Sequence, residues 1–449
     1  MRLSLRSLCL LLLVPTVAEA QHTPPAWTRR DVIYEINTRQ YTPEGTFKAI
    51  VPHLPRLKKL GIDILWVMPV QPIGKVSRKG SLGSPYSISD YRAVNPEYGT
   101  TKDFVNFVAA AHKEGIKVLL DWVPNHTSFD HAWITKHPDW YTHTKDGKIS
   151  FPLNADGTMT DWTDVAELNY DSKDMRKAMI ADMKYWLQTA NLDGFRCDVA
   201  WGVPGEFFEA ARTELGKVKP GLFWLAEAEG PELHKEFDMT YGWEYHHLLN
   251  ELAQNKQPTS KLDEYLAKEE RTYPRDAYRM YFTSNHDENS WNGSEFERMG
   301  ENPLPAYVLS ATIEESMPLL YSGQEVSMKK RLRFFDKDTV EWNGPSLAEF
   351  YRTVFALKHS QDALENGAAG GKQTKLATNG NDSTYAFSRT KGKNTVVVAV
   401  NFGKGPVTLS YSQFANSGSY IDWFTKKKTA LGATGTIDVP AHGYRVLVK

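Results

Sequence analysis

The sequence predicts an α/β fold, namely a (β/α)8 TIM barrel with a short inserted domain after strand 3 and a C-terminal antiparallel β-sandwich. The first three quarters of the 449-residue chain alternate short apolar runs with amphipathic helical stretches, which is typical of a parallel sheet. There are eight such runs, and this number favours a closed barrel. The final ~80 residues instead carry short alternating strands between glycine-bearing turns, which indicates a sandwich.

We place the eight barrel strands on the apolar runs, most of which end in a polar or carboxylate residue. These runs are Val32–Asn37, Ile62–Met68, Lys117–Trp122, Gly194–Asp198, Leu222–Ala226, Phe237–Thr240, Met280–Ser284 and Met317–Tyr321. Helices are predicted between them, for example over Lys102–Glu114 and Asp174–Thr189. TIM-barrel enzymes form their active sites at the carboxyl ends of the strands, so the strand-end side chains are the candidate site residues.

The connection after the third strand is too long for a simple turn. Residues 127–165 are rich in Asp, Thr, His, Trp and Gly and show no clear helix, and a long excursion of this kind is usually functional. The barrel is therefore predicted in two parts, 21–126 and 166–363, separated by this inserted domain. A helix at Ser346–His359 leads to a C-terminal domain at 364–449. The strands predicted in that domain are Tyr385–Ser388, Thr395–Asn401, Val407–Leu409, Ser419–Asp422 and Tyr444–Val448.

Residues 1–20 are predicted to be a signal peptide. Two arginines give a basic start, Leu8–Val14 form a short apolar run, and Ala18–Ala20 give the small-x-small pattern of a cleavage site. The mature chain then begins near Gln21. Later segments lack the ~20 apolar residues of a membrane span, so we expect an exported protein without a membrane anchor.

Charge and cysteine content narrow the class of partner. The chain carries 53 Lys plus Arg and 54 Asp plus Glu, so its surface has no general attraction for nucleic acid or anionic membranes and suits a neutral substrate. Cys9 falls in the signal peptide. Cys197 is then left alone, which excludes an intrachain disulfide or a cysteine-based metal site. Export without disulfides favours a bacterial periplasm or medium. We expect a monomer, with Cys197 as a packed, inert thiol.

Charged and polar side chains recur at or just past the predicted strand ends. They are Asp121, Asn125 and His126 in DWVPNH, Arg196 and Asp198 in GFRCDVA, Glu227 in FWLAEAE, and His286 and Asp287 in FTSNHD. One predicted βα unit separates Asp198 from Glu227, and two separate Glu227 from Asp287. Any one of these residues alone would more often be structural. Their order and spacing along the barrel predict that they share one site.

This set of residues suits cleavage of a glycosidic bond. Such cleavage requires one carboxylate as nucleophile and one carboxylic acid that protonates the leaving oxygen, with pKa values separated by their surroundings. Arg196 lies two residues before Asp198, so both side chains are on one strand face, and its charge should hold Asp198 ionised. Glu227 follows the apolar run Trp224–Ala226, which favours its protonated form.

These four segments resemble the ordered signature motifs of the α-amylase family of retaining α-glucan hydrolases and transglycosylases. Three further segments are also similar to family motifs, and they are SPYSISDYRAVNPEYGT from Ser84, VAELNY from Val165 and MPLLYSGQE from Met317. The resemblance covers about residues 31–345, and seven motifs in order are highly specific. It implies the barrel, the inserted domain after strand 3 and a C-terminal β domain.

The resemblance also implies roles for three carboxylates. By position, Asp198 is the nucleophile, Glu227 is the general acid and base, and Asp287 holds and distorts the sugar at the cleavage subsite. Glu229 is the alternative acid. Glu227 is preferred because it directly ends the apolar strand, as the acid of the family does.

The resemblance implies that the remaining motif residues bind substrate. Arg196 supports the nucleophile, His126 and His286 bind hydroxyls of the sugar at the cleavage subsite, and Tyr86 stacks beneath it. Asp121 is grouped with them, and bracing of the loop backbone is its alternative role. Five tryptophans in predicted loops are candidates to line glucose subsites, with core packing as the alternative for each; they are Trp133, Trp140, Trp162, Trp201 and Trp291.

The chemistry requires no cofactor, and the sequence gives weak support for structural calcium. Many family members carry Lys-His shortly after the nucleophile, where the His carbonyl binds calcium, but here the run is Asp198-Val199-Ala200-Trp201-Gly202. The Asp-rich loop after strand one that provides the alternative site is absent, since residues 41–46 read YTPEGT. Asn125 is left as the candidate metal ligand.

The sequence therefore predicts a secreted α-amylase that hydrolyses internal α-1,4-glucosidic bonds of starch, maltodextrin and related α-glucans with retention. A cyclomaltodextrinase, an α-glucosidase or a 4-α-glucanotransferase of the same family is the alternative. Against the first of these, the barrel begins soon after the predicted signal peptide, without the N-terminal β domain of cyclodextrin-degrading relatives. A catalytically inactive carbohydrate-binding relative is a third hypothesis. It conflicts with the presence of Asp198, Glu227 and Asp287.

Overall fold

Eight parallel strands close into a barrel, which confirms the predicted fold class. The structure is a computed structural model that describes residues 22–154 and 157–449; the predicted signal peptide lies outside these residues. The barrel strands are β1 (Ile33–Ile36), β2 (Ile64–Val67), β3 (Lys117–Trp122), β4 (Gly194–Cys197), β5 (Phe223–Ala226), β6 (Met239–Tyr241), β7 (Tyr278–Tyr281) and β8 (Ser316–Tyr321). Each pairs with its neighbours in chain order, and β8 closes the ring against β1.

The strands read as apolar runs because both of their faces are buried. One set of side chains, including Ile33, Leu119 and Met280, fills the barrel interior. The alternate set, including Tyr34 and Val118, packs against the surrounding helices. This double burial is what parallel barrels require of their strands.

Two predicted strands lie at shifted positions. The sixth runs over Met239–Tyr241 instead of Phe237–Thr240, and the seventh over Tyr278–Tyr281 instead of Met280–Ser284. Apolar content alone does not mark where pairing stops. From Phe282 onward the chain no longer pairs with the neighbouring strands, and the polar residues that follow lie in the loop that bears the site.

The helices surround the barrel. The α-helices are Thr38–Tyr41, Phe47–Ile50, Leu54–Leu60, Thr101–Lys113, Ala132–Lys136, Lys173–Ala190, Gly205–Gly216, Trp243–Ala253, Lys261–Thr272, Glu295–Met299, Pro303–Thr312 and Ala348–Ser360. The three helices predicted from the sequence are present within two residues of their expected bounds. Within the described part of the chain, no helix is both long and apolar enough to cross a bilayer.

The segment inserted after β3 is a small subdomain with little regular structure. Its ends pair as two antiparallel strands, His126–Ser128 and Val165–Glu167. Its described residues include a short α-helix, Ala132–Lys136, which was not predicted from the sequence. The helix begins at His131, whose side chain accepts the N–H of Trp133. Five residues are too few to show an amphipathic period, so the sequence pattern could not reveal it.

The C-terminal domain is an antiparallel sandwich. Its strands are β9 (Lys372–Lys375), β10 (Ala377–Thr378), β11 (Thr384–Lys391), β12 (Asn394–Asn401), β13 (Val407–Ser412), β14 (Gly418–Asp422), β15 (Lys428–Leu431), β16 (Gly435–Val439) and β17 (Gly443–Val448). Six form one sheet in the order β9-β11-β12-β17-β14-β15, and β10-β13-β16 form the other. Phe387 and Val398 on the larger sheet belong to the same core as the barrel helices. That sheet is therefore covered on both faces.

Candidate active site

The predicted site residues gather at the carboxyl ends of the barrel strands. A cavity of about 680 Å³ opens there, within the ~300–1,000 Å³ of small-molecule sites. Six of the predicted residues line it, and they are Tyr86, His126, Asp198, Glu227, His286 and Asp287. The side chains of Arg196 and Asp121 are fully buried and contact this group. The structure thus brings the predicted catalytic and binding residues into one place.

Arg196, on β4, joins three carboxylates of the site. Its Nη1 donates to Asp121 and to Asp198, each at 2.9 Å. Its Nη2 lies 2.8 Å from Oε1 of Glu227, and the guanidinium is 4.8 Å from the centre of the Trp66 ring. A buried cation is stable only when it is paired, and these partners satisfy that need. The same arginine therefore fixes the positions of the candidate nucleophile and the candidate acid.

Burial gives these two carboxyl groups different pKa values. Burial raises the pKa of Glu227 to about 8; Arg196 opposes this, and the charges of Asp198 and Asp287 add to it. Burial raises the pKa of Asp198 to about 6, again opposed by Arg196. Near neutral pH, Glu227 therefore carries the proton, and its hydroxyl donates a hydrogen bond to the Asp198 side chain. Asp198 is therefore ionised near neutral pH, as expected from Arg196, although desolvation outweighs the charge of Arg196 and leaves the pKa of Asp198 above its usual value.

A strained turn connects the two groups. Val199, directly after Asp198, has a φ of 45° in the left-handed region, which is costly for a β-branched residue. In this conformation its backbone N–H donates to Oε2 of Glu227 at 2.8 Å. Strain of this kind is found where a fold must aim a specific group, and here it positions the candidate acid.

Glu229, the alternative acid, has other partners. Its Oε1 pairs with Arg279, and its Oε2 accepts the backbone N–H of Glu244 at 3.0 Å. It lines the cavity, but these two contacts hold it away from the Arg196 cluster. The geometry favours Glu227 as the acid.

His286 belongs to a buried network that starts at β1. Its Nδ1 lies 2.5 Å from Oε1 of Glu35, and its Nε2 lies 2.9 Å from the Tyr86 hydroxyl. Burial lowers the pKa of His286, but the charges of Asp287 and Glu35 and the hydrogen bond to Glu35 outweigh burial and raise it to about 9. Tyr86 also donates to Asp121 at 3.0 Å. His286 is therefore a cationic donor near neutral pH.

His126 is electrically different from His286. Burial lowers its pKa to about 4, so its imidazole is neutral at pH 7. Its ring centre is 6.0 Å from that of Trp162, in the inserted segment. One neutral and one charged imidazole therefore face the same cavity.

Comparisons with known proteins show the family of the chain. The family model described as alpha amylase, catalytic domain, matches residues 26–235. The crystal structure of an alpha-amylase from Lactobacillus plantarum is 30% identical, with a TM-score of 0.83, and the match covers 94% of this chain and 99% of that one. The chain belongs to the α-amylase family.

Two further relatives of this α-amylase family member are more distant. A noncanonic maltogenic alpha-amylase, AmyB from Thermotoga neapolitana, is 26% identical with a TM-score of 0.84, and the match covers 93% of this chain and 98% of that one. Alpha-amylase MalA from Haloarcula japonica is 27% identical over 410 residues, which are 87% of this chain. The match spans 58% of the length of MalA.

The five predicted tryptophans divide into two groups. Trp162, Trp201 and Trp291 line the cavity of this family member, and about half of the surface of Trp201 and Trp291 is exposed. Trp133 and Trp140 instead pack on each other with ring centres 5.0 Å apart. Core packing therefore explains these two.

Asn125, the candidate metal ligand, lies beside His126 and Gly202. Its Nδ2 lies 3.3 Å from the His126 ring, and its Oδ1 stands where a Cβ at Gly202 would be 2.7 Å away. Among residues 22–154 and 157–449, no three His, Cys, Asp or Glu side chains form a group that could hold a metal ion. Cys197 is buried, and burial raises the pKa of its thiol well above the usual value.

The sequence analysis missed several residues of the site. Glu35 and Tyr241 touch the network from β1 and β6, and Trp66 donates to Asp121 at 2.9 Å. Lys79, Trp243, Phe334 and Phe335 also line the cavity. Glu35 could have been found, since a lone carboxylate within an apolar barrel strand is unusual. Lys79, Phe334 and Phe335 lie in loops, and sequence position alone does not bring them to the cavity.

Proposed function

We propose that this protein hydrolyses α-1,4-glucosidic bonds of starch, maltodextrin and related α-glucans with retention of the anomeric configuration. The observation that carries the proposal is that the Arg196 guanidinium contacts both Asp198 and Glu227, with N–O distances of 2.9 and 2.8 Å. The two carboxyl groups hydrogen-bond each other. Their contact is inconsistent with the ~6.5–9.5 Å that an inverting enzyme leaves between its carboxyl groups for a water.

In the first displacement, a carboxylate oxygen of Asp198 attacks C1 of the sugar at the cleavage subsite. The bond from C1 to the glycosidic oxygen breaks, and Glu227 gives its proton to that oxygen. The chain on the leaving side departs as an alcohol, and the glycosyl group remains as an ester on Asp198. The pKa of Glu227, about 8, keeps this proton available at neutral pH.

In the second displacement, Glu227 is a carboxylate and removes a proton from a water molecule. The water oxygen attacks C1, the ester bond breaks, and Asp198 is restored. Two inversions at one carbon return the α configuration. The buried Arg196 stays paired with both carboxyl groups throughout, so little reorganisation accompanies either step.

The remaining polar groups bind the sugar at this subsite. His286 offers a charged N–H, the neutral His126 offers one donor and one acceptor site, and Asp287 accepts from hydroxyls. The face of Tyr86 stacks on the pyranose ring, as aromatic faces do with apolar ligand surfaces. Together these contacts position C1 against Asp198.

Proton NMR of the first products from maltodextrin tests the reaction. We expect new reducing ends to appear as the α-anomer before mutarotation, with an Asp198→Asn variant as the inactive control. That variant should lose about 10⁴-fold in turnover, because the covalent route is closed. A β-anomeric first product, or an Asp198→Asn variant that keeps a tenth of the activity, would contradict the proposal.

Internal cleavage and export remain predictions from the sequence, and transfer or cyclodextrin cleavage remains the alternative reaction. Chromatography of products from soluble starch, cyclodextrin and pullulan separates these reactions. An amylase degrades starch fastest, whereas a glucanotransferase builds products longer than its substrate. Export predicts that the protein isolated from the periplasm or medium begins near Gln21.

A further inference from the structure

Residues 75–83, which follow β2, connect the segment inserted after β3 to the loop after β8 and contribute Lys79 to the cavity wall; we name them the bridge segment. One of its ends is tied to the segment inserted after β3. The backbone N–H of Lys75 donates to Asp130 at 2.8 Å. The ammonium of Lys79 binds the carbonyl of Asp161 and lies 3.6 Å from the Asp164 carboxylate.

The other end of the bridge segment is tied to the loop after β8. The Asp336 carboxylate accepts the backbone N–H of Ser81 at 2.9 Å and its hydroxyl at 2.6 Å. The N–H of Leu82 donates to the Phe335 carbonyl at 2.9 Å. Gly80 has a φ of +60°, and a Cβ there would lie 2.5 Å from the Cβ of Phe335. Only glycine permits this close approach, so the contact between the two loops is part of the fold.

The bridge segment faces the cavity on the side opposite the candidate acid. Lys79 and Phe335 line the cavity there, from the loops after β2 and β8, the two neighbours of β1. Glu227 ends β5, and in an eight-stranded ring β5 lies across from β1. The wall near the acid is made instead by residues after β4 and β6, such as Trp201 and Trp243.

The chemistry assigns a direction to these two sides. The acid protonates the oxygen of the departing chain, so that chain lies on the Glu227 side. The sugars that stay attached to Asp198 lie on the side of the bridge segment. In an α-1,4-glucan, the part that keeps C1 of the broken bond is the part that carries the non-reducing end.

We propose that the bridge segment closes the cavity beyond the non-reducing end of the substrate, so that the enzyme binds chain ends and releases short malto-oligosaccharides. The inference rests on the proposed hydrolysis of α-1,4-glucans. It replaces the expectation of internal cleavage, which assumed a cleft open at both ends. In the proposed arrangement, a chain entering from the Glu227 side would end at the Lys79–Asp161 contact and Phe335.

End-blocked substrates test the proposal. p-Nitrophenyl α-maltoheptaoside is compared with the same compound whose terminal glucose carries an ethylidene acetal across O4 and O6. The disappearance of each is followed by chromatography. We expect the blocked compound to react about 100-fold more slowly, the discrimination a closed pocket gives against an added group. Equal rates would overturn the proposal and leave α-glucan hydrolysis intact. If neither compound reacts, the proposed function itself fails.

A variant that opens the bridge segment gives an independent test. Lys79→Ala combined with Asp336→Ala removes side-chain contacts at both ends of the bridge segment. Lys75→Ala is the control, because Lys75 contacts Asp130 through its backbone N–H and not through its side chain. We expect the double variant to raise the ratio of blocked to unblocked rates at least about tenfold, and the control to leave it unchanged. A double variant that folds, as judged by circular dichroism, and keeps the wild-type ratio would overturn the proposal. The wild-type comparison decides the matter if the variant does not fold.

Discussion

At the scale of single residues, one arginine sets the chemistry of two acids. Arg196 contacts both Asp198 and Glu227, yet burial leaves their pKa values at about 6 and about 8. Between these values the nucleophile is ionised and the acid is protonated. Environment thus gives two carboxyl groups with similar intrinsic pKa values two different roles.

This difference predicts a bell-shaped dependence of kcat/KM on pH, with its maximum near pH 7. Below pH 6 Asp198 gains a proton and ceases to be a nucleophile, so the rate falls. Above pH 8 Glu227 loses its proton and cannot assist the leaving group, so the rate falls again. Rates on maltodextrin from pH 4 to pH 10 measure both limbs.

Glu227→Gln, with Glu229→Gln as its matched control, tests whether the alkaline limb of the pH profile reports Glu227. We expect Glu227→Gln to lose about 10²–10⁴-fold on maltodextrin. On an α-glucosyl fluoride, whose leaving group requires no acid, it should still form the glycosyl-enzyme. Glu229→Gln should keep the bell shape, because Glu229 is engaged by Arg279. If the variants show the opposite pattern, Glu229 is the acid.

The sequence identified the candidate catalytic carboxylates where a motif places them at the end of a strand. Asp198 and Glu227 were found in this way, and the structure places them together. Glu35 was missed because its role arises from a contact with His286, 251 positions away. The raised pKa of Asp198 was not predicted, for a related reason. The sequence shows the neighbouring charge of Arg196 but not the extent of burial.

At the scale of elements, short irregular pieces shape the cavity. Residues Glu288–Asn292 form a single π-helical turn after β7, a feature often found at functional sites. The turn presents Trp291, whose ring centre lies 5.3 Å from that of Phe334 and 5.7 Å from that of Phe335. About half of the surface of Trp291 is exposed. Its ring can therefore stack on a sugar.

We predict that Trp291→Ala raises KM for maltodextrin about fivefold and changes kcat by less than about twofold. The loss of one aromatic stacking contact costs ~1 kcal/mol, and Trp291 does not touch the reacting groups. Trp291→Phe, which keeps an aromatic face, should retain most of the affinity. Initial rates over a range of substrate concentrations measure both constants. A large fall in kcat at unchanged KM would place Trp291 in the chemical step instead.

Element prediction from the sequence succeeded best in the barrel. The eight barrel strands were found because both of their faces are apolar. In the C-terminal domain, β15 and β9 were missed because most of their residues are exposed and polar, so no alternation marks them. The helix Ala132–Lys136 was missed because of its length.

At the scale of the whole molecule, the C-terminal domain is part of the barrel's core. The larger sheet covers the helix Pro303–Thr312, and Arg389 on β11 is fully buried at this contact. Its guanidinium donates to the carbonyls of Thr312 and Ile313 at 3.3 and 3.1 Å, and to those of Gly371 and Glu365. A single side chain thus satisfies backbone groups from both parts of the chain.

We therefore predict that the two parts unfold together and that Arg389→Met weakens both. The substitution leaves buried carbonyls without donors, which costs about 2–4 kcal/mol and lowers the midpoint of one shared transition by about 2–4 °C. Arg445→Met, on β17 of the same sheet but partly exposed, is the control and should shift the midpoint by less than about 1 °C. Differential scanning calorimetry of the full chain makes the measurement. Two separate transitions in the wild-type protein would show that the sandwich unfolds as an independent unit. The contact at Arg389 would then not contribute to the stability of the barrel.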